Sequence, residues 1–133
     1  MSESKKPEVG TIAWQDLTVE NASEIGQFYA EVVGWKAEPV DMGGYSDLNM
    51  SGPDSGNPLA GVCHARGSNA GLPAQWLLYI VVEDLDRSAK RTEDLGGEIL
   101  LPPKKMGGQG SYCVIRDPAG AVAALCEPAT GMQ

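Results

Sequence analysis

Few side chains in this sequence are of types that suit catalysis. His64 is the only histidine, so acid–base catalysis by an imidazole near neutral pH has no other candidate. A single histidine on a predicted strand is also commonly a structural or solvated residue. Both interpretations stay open, and the variant His64→Ala separates them, because loss of turnover with an intact fold indicates catalysis.

The cysteines suggest a reducing environment. The chain has an odd number of cysteines, and none of them lies in a Cys-x-x-Cys pair. They are Cys63, Cys113 and Cys126. Residues 1–8 are polar and charged, without the apolar segment of a secretory signal. These features predict reduced thiols, buried on strands, in a cytoplasmic protein. No serine lies in a Gly-x-Ser-x-Gly sequence, so a serine nucleophile has no support.

The charge balance narrows the choice of partners. The 133 residues include 10 Lys and Arg against 18 Asp and Glu, which gives a formal net charge of −8. An acidic surface repels phosphate groups, so nucleic acid and anionic membranes are not expected as partners. No apolar run reaches the roughly 18 residues of a membrane span. The negative field suits a neutral or cationic small molecule.

The first half of the chain predicts one helix among short strands. Apolar residues from Ile25 to Val33 follow helical spacing, polar residues before them suit a helix start, and Gly34 suits a helix end. Residues with turn-forming composition separate the strands. The predicted strands are Thr11–Thr18, Lys36–Val40, Tyr45–Met50 and Leu59–Ala65.

The second half repeats this order at a constant distance. The pairs Val19 and Val82, Asn21 and Asp84, and Gly34 and Gly97 each differ by 63 positions. The repeat predicts a single α+β domain over residues 1–133, with module one at about 9–67, a linker at 68–74 and module two at about 75–128. We expect two βαβββ modules related by a pseudo-twofold axis, with a small-molecule cleft between curved mixed sheets. Four strands are predicted in module two: Trp76–Val82, Glu98–Leu101, Ser111–Ile115 and Ala121–Cys126.

Four segments in these positions resemble the vicinal oxygen chelate superfamily, which includes glyoxalase I, extradiol dioxygenases and bleomycin-resistance proteins. The resemblance covers about residues 10–128 and implies the two-module fold. Bleomycin-resistance proteins bind their ligand at a dimer interface without catalytic metal, so the resemblance also implies a homodimer. The segments are Trp14-Gln15-Asp16-Leu17-Thr18-Val19, Phe28-Tyr29-Ala30-Glu31-Val32-Val33-Gly34-Trp35, Leu95-Gly96-Gly97 and Asp117-Pro118-Ala119-Gly120.

The resemblance also implies where a metal would bind. Metal-dependent members place His, Gln or Glu at one position of the first strand and at one position of the fourth strand in each module. The matching positions here are Trp14, Val62, Leu77 and Ala124. None of these side chains offers the nitrogen or oxygen that a divalent cation needs. We therefore expect no metal and no other cofactor.

Side chains two positions apart on a strand share a face, so the same four positions predict the lining of the cleft. Asp16, His64 and Tyr79 are the candidate catalytic residues, with Asp16 and His64 as an acid–base pair. The alternatives are that these side chains are solvated at strand ends, or that the polar set holds a displaced metal. The predicted lining is Trp14, Asp16, Thr18, Val62, His64, Leu77, Tyr79, Ala124 and Cys126.

Three functions remain in order of preference. The first is a metal-free small-molecule-binding protein that sequesters or senses a planar or cationic ligand, with Trp14 as the stacking residue. The second is a lyase or isomerase of the same superfamily that uses the acid–base residues or a displaced metal site. The third is a protein–protein interaction module.

Overall fold

The computed structural model describes residues 7–106, 108 and 110–129. Contacts divide the chain into a first unit, Trp14–Trp76, and a second unit made of the described parts of Met1–Ala13 and Leu77–Gln133. Within the second unit, Gly10 donates to the carbonyl of Val81, and Val81 donates to the carbonyl of Thr11, both at 2.8 Å.

The first unit contains one helix and strands close to the predicted positions. Helix α1 ends where Gly34 adopts a φ of 92° and donates its N–H to Ala30. Glycine adopts this left-handed backbone without the steric cost that a side chain brings. The elements are β1 (Ile12–Val19), α1 (Ala22–Val33), β2 (Lys36–Asp41), β3 (Ser46–Ser51) and β4 (Pro58–His64), followed by a 3₁₀ turn, Gly67–Asn69, that overlaps the start of the expected linker at 68–74.

The second unit repeats this order. Helix α2 begins after Asp84, whose carboxylate accepts the N–H of Arg87 as a cap should. Among the described residues, neither helix is long and apolar enough to cross a membrane. The elements are β5 (Trp76–Val81), α2 (Leu85–Asp94), β6 (Glu98–Lys105), β7 (Gly110–Arg116) and β8 (Val122–Pro128).

We call the four strands of each unit its sheet, and both sets of strands have the same connectivity. The order is β2-β3-β4-β1 in one and β5-β8-β7-β6 in the other, and the first strand of each module runs parallel to the fourth. Asp16 lies opposite Gly61, and Tyr79 lies opposite Ala124, so both registers keep the offset of 63. The α+β class and the two βαβββ modules are therefore confirmed.

One face of each sheet packs on its own helix. In the first unit the buried core is Ala22, Met50, Ala60 and Val62, and aromatic side chains extend it. Trp76, the last residue of the first unit, packs against this core, and its Nε1 donates to the Tyr29 hydroxyl at 3.2 Å. In the second unit the core is Leu85, Ala89, Cys113 and Leu125.

Strand β6 is longer than predicted. The predicted strand ends at Leu101, yet β6 continues through Pro102 and Pro103 to Lys105. β6 ends the sheet order of its unit, and its pairing with β7 shifts register between Leu101 and Lys104. An edge strand with an irregular register does not need every N–H for a neighbour, so it tolerates proline.

Candidate functional site

A tryptophan lies over a glycine on the face of the first sheet that α1 does not cover. Asp16 and Gly61 are direct neighbours across β1 and β4. A Cβ atom placed on Gly61 would lie 3.1 Å from the Cβ of Asp16 and 3.6 Å from Cζ2 of Trp14. The missing side chain at position 61 therefore makes the room that the indole occupies.

The predicted lining on β4 is wrong by one residue. Val62 lies opposite Leu17 and is fully buried in the core beside Ala22 of α1, so it faces the helix rather than the Trp14 face. Because successive strand residues point to opposite faces, a slip of one position exchanges the two sets. Gly61 is the true counterpart of Ala124, since 61 plus 63 is 124, whereas the expected placement at Val62 used an offset of 62.

The same correction moves Cys63 onto the Trp14 face, opposite Thr18. Burial raises the pKa of the Cys63 thiol, and the negative charges of Asp16 and Asp47 raise it further. The thiol is therefore neutral near pH 7 and is a poor nucleophile. Two carboxylates act on this one sulfur, so Asp16 and Asp47 belong to the same region of the unit.

His64 pairs with a different carboxylate from the predicted one. Oδ1 of Asp47 accepts the backbone N–H of His64 at 2.8 Å and lies 3.2 Å from its Nδ1. This contact joins the neighbouring strands β3 and β4, and by alternation His64 shares the face of Val62 rather than the face of Asp16 and Gly61. No sequence spacing identified Asp47, because its approach to His64 depends on how the two strands align.

Two further residues surround the imidazole. The ring of Tyr45 meets that of His64 edge to face, with centroids 5.7 Å apart. The guanidinium of Arg66 lies 3.9 Å from the centroid of the Tyr45 ring, a cation–π contact. These contacts limit the orientations open to His64, although neither residue is conspicuous in the sequence.

The uncovered face of the second sheet agrees with the predicted parity. Tyr79 lies opposite Ala124, and Cys126 lies opposite both Val81 and Tyr112. Leu77 and Ala124 are almost completely buried. The Tyr79 ring lies 5.9 Å from that of Tyr112, which the prediction missed although strand alternation along β7 would place it there. Burial raises the pKa of the Cys126 thiol.

The metal positions do not fit a divalent cation. With the correction on β4 they are Trp14, Gly61, Leu77 and Ala124, and none has a donor side chain. Over residues 7–106, 108 and 110–129, no group of three or more His, Cys, Asp or Glu side chains is arranged to hold a metal ion.

A pocket of about 260 Å³ opens in the second unit, where the sequence predicted no site. Lys105, Ser111 and Glu127 lie in one row across β6, β7 and β8 and contribute its polar groups. Oε1 of Glu127 accepts the N–H of Leu85 at 2.8 Å. Glu127 therefore serves the start of α2, which is a structural role.

Sequence comparison identifies relatives over most of the chain. The family model described as "Glyoxalase/Bleomycin resistance protein/Dioxygenase superfamily" matches residues 11–125. "Anthracycline biosynthesis protein DnrV" of Streptomyces peucetius is 31% identical, over 87% of this chain and 46% of that protein. A Mycobacterium tuberculosis protein named "Putative glyoxylase CFP32" is 26% identical, over 92% of this chain and 46% of that protein. The chain thus spans about half the length of the curated relatives it matches.

Solved structures share the fold. Methylmalonyl-CoA epimerase of Streptomyces coelicolor, in complex with 2-nitronate-propionyl-CoA, matches with a TM-score of 0.57 and 14% identity, over 92% of this chain and 97% of that one. A hypothetical protein, BH1468 of Bacillus halodurans, matches with a TM-score of 0.60 and 10% identity, over 95% and 99%. At these identities the likeness concerns the fold alone.

Proposed function

This chain belongs to the glyoxalase/bleomycin resistance protein/dioxygenase superfamily, and from that premise we propose that it binds a planar aromatic small molecule without a metal ion. The ligand lies against the Trp14 face of the first unit, which we define by Trp14, Asp16, Gly61 and Cys63. Binding serves to sequester or to sense the ligand.

The placement of Trp14 over Gly61 is the observation that supports this proposal. A large indole beside a residue without a side chain gives a flat surface on a sheet face, and aromatic rings stack on such surfaces. The neighbouring Asp16 and Asp47 favour a neutral or cationic ligand over an anionic one. The net charge of −8 acts in the same direction.

The name of one relative suggests a ligand class. DnrV is named for anthracycline biosynthesis, and anthracyclines contain fused planar rings. We extend this class to the present chain because a fused ring system matches the shape of the Trp14 face. The absence of donor side chains at Trp14, Gly61, Leu77 and Ala124 supports binding without metal.

We further propose that the protein is a homodimer in the cytoplasm. The curated relatives are about twice as long as the stretch that this chain matches. A second copy of the chain would supply a second set of modules. Sedimentation equilibrium measures this directly, and a mass equal to one chain across micromolar concentrations would contradict it.

Isothermal titration calorimetry with a water-soluble anthracycline tests the binding proposal. We expect saturable binding by the native protein and a loss of about tenfold in affinity for Trp14→Ala, since a stacked aromatic contributes up to about 1.5 kcal/mol. The matched control is Phe28→Ala, because Phe28 is an exposed aromatic of the same unit on α1. Equal affinity of the native and Trp14→Ala proteins would overturn the proposal.

The contact between His64 and Asp47 favours a second candidate function. A carboxylate that orients an imidazole is a common arrangement for proton transfer, so a lyase or isomerase activity remains the alternative. The discriminating measurement is turnover of carbonyl substrates by the native protein and by His64→Gln. Turnover that depends on His64 would replace the binding function with this one.

A further inference from the structure

The pocket of the second unit lies where α2 stops covering the strands. The helix packs on Cys113 and Leu125, which are paired across β7 and β8. Ser111 and Glu127 form the next pair on the same face, because side chains two positions apart on a strand point the same way. The helix begins at Leu85, whose N–H binds Glu127, so this next pair lies at the edge of the covered area. The pocket there has a volume of about 260 Å³.

Three polar side chains form a row across this pocket. Lys105 on β6 is paired with Ser111 on β7, and Ser111 is paired in turn with Glu127 on β8. Neighbouring strands are about 4.8 Å apart, so the Cα atoms of the lysine and the glutamate are separated by roughly 10 Å. Within residues 7–106, 108 and 110–129, no ion pair joins Lys105 to Glu127. The pocket therefore has opposite charges on its two sides and a hydroxyl group between them.

Glu127 is held in place on its side of the pocket. Its Oε1 accepts the N–H of Leu85 at 2.8 Å. A carboxylate can accept about four hydrogen bonds, so Glu127 retains the capacity to bind a donor group of a ligand. The adjoining backbone is closely packed, because a Cβ atom on Gly110 would collide with the carbonyl oxygen of Glu127. A wall that is ordered before binding lowers the entropy that binding costs.

The charges around the pocket disfavour a ligand of a single sign. An anion would be repelled by Glu127 and by the start of α2. Burial raises the pKa of Cys113, the residue next to Ser111 on this face, and the negative charge of Asp86 raises it further. A cation would be repelled by Lys105. A molecule that carries both charges can pair each with its opposite, and charge-assisted hydrogen bonds are the strong ones.

The dimensions of the pocket indicate a small ligand. Pockets for drug-sized molecules measure about 300–1,000 Å³, and this one is smaller, at about 260 Å³. In an α-amino acid one carbon atom separates the ammonium nitrogen from the carboxylate, and a charge-assisted hydrogen bond at each end adds about 2.8 Å. The resulting length is comparable with the separation of Lys105 and Glu127.

We propose that this pocket binds a small zwitterion of the α-amino-acid class, with its carboxylate on Lys105 and its ammonium group on Glu127. The Ser111 hydroxyl, between them, donates a second hydrogen bond to the ligand carboxylate. The site lies on the helix side of the second unit, whereas the Trp14 face belongs to the first unit. It therefore does not depend on the proposed aromatic ligand.

Three probes of similar size test the need for both charges. L-Alanine carries both, propionate lacks the ammonium group, and ethylammonium lacks the carboxylate. In a ¹H–¹⁵N NMR titration of the native protein, we expect L-alanine to bind saturably and to shift the amide signals of Ser111 and Glu127. Each single-charge probe should bind about tenfold more weakly, because it loses one charge-assisted hydrogen bond. Equal affinity for the three probes, or no saturable binding of L-alanine, would overturn the proposal.

A lysine variant tests the carboxylate end. Lys105→Met removes the ammonium group but keeps a long side chain, so L-alanine should bind about tenfold more weakly. The matched control is Lys104→Met, because Lys104 is the neighbouring lysine of β6 and is paired with Tyr112 on the opposite face. The control changes the net charge equally and should bind L-alanine as the native protein does. Equal losses in the two variants would exclude Lys105 as the specific partner.

A glutamate variant tests the ammonium end without removing the support of α2. In Glu127→Gln the amide oxygen can still accept the N–H of Leu85, but the negative charge is lost. We expect L-alanine to bind about tenfold more weakly and propionate not to be weakened. Undiminished binding of L-alanine would exclude Glu127. Amide signals that shift only at Gly61 and Cys63 would place the zwitterion on the Trp14 face and contradict the proposed pocket.

Discussion

One carboxylate oxygen of Asp47 accepts two hydrogen bonds from the same residue, His64, at 2.8 Å from its backbone N–H and 3.2 Å from its Nδ1. The side chain of Asp47 thus satisfies a donor of β4 near the point where its recorded pairing with β3 ends, since the last residue pair there is Leu48 with Val62. The contact connects the strand end to the only imidazole of the protein.

Removal of this carboxylate should destabilise the first unit. We expect Asp47→Ala to lower the free energy of unfolding by about 1–2 kcal/mol, because it leaves a half-buried N–H without its acceptor. Asp47→Asn retains an acceptor oxygen and should cost less. Urea denaturation measures both, with the exposed Asp54→Ala as the matched control. If Asp47→Ala and Asp54→Ala have the same free energy of unfolding, the hydrogen bonds of Asp47 contribute nothing to stability.

A larger residue at position 61 should displace the indole. The γ-carbons of Val in Gly61→Val would enter the space of Trp14, and overpacking of this kind costs about 1–3 kcal/mol. Gly61→Ala places one atom close to Asp16 and should cost less. We expect the loss of stability to be accompanied by a red shift of tryptophan emission, which Trp14→Phe identifies as coming from Trp14. An unchanged spectrum in Gly61→Val would mean that the indole does not depend on Gly61.

Close packing of α1 on β3 should cancel the benefit of alanine at one helical glycine. A Cβ atom on Gly26 would collide with Cδ1 of Leu48, whereas one on Gly71 meets no atom within 4 Å. We expect Gly26→Ala to show little or none of the roughly 1 kcal/mol that alanine usually gains over glycine in a helix, because the flexible end of Leu48 must move away from the added atom. Gly71→Ala should be neutral in the same denaturation experiment. A more stable Gly26→Ala protein would contradict the observed packing.

The buried thiols should weaken the fold at alkaline pH. Burial raises the pKa of Cys113 in the folded protein to about 11. In the unfolded chain the pKa of a cysteine thiol is about 8.5. Above that pH the unfolded chain loses a proton that the folded chain retains, so stability falls as the pH rises toward 11. For Cys113 the expected loss between pH 9 and pH 10 is about 1 kcal/mol.

Comparison with Cys113→Ala isolates this effect. The variant removes the thiol but leaves the other titrating groups, so its free energy of unfolding should depend less steeply on pH above 9. Denaturation curves at several pH values under reducing conditions provide the slopes. Parallel slopes for the two proteins would mean that Cys113 has the same pKa in both states.

Local features of the fold could be predicted because their causes are local. Gly34 ends α1, Asp84 caps α2, and the offset of 63 between modules extends to the registers of both sheets. Helix ends depend on neighbouring backbone groups, and the strand faces of β1, β5 and β8 follow from alternation within one strand. The family and the two-module organisation followed from these features.

The sequence by itself therefore determined the elements, their repeat and the residue types available at the metal positions. Only the tertiary structure decided which strands align at which residue: Gly61 rather than Val62 faces the Trp14 side, and Asp47 rather than Asp16 binds His64. The physical reason is that alternation fixes faces only within a strand. A shift of one residue between strands exchanges every face, and that shift is set by packing across the whole sheet rather than by neighbours in sequence.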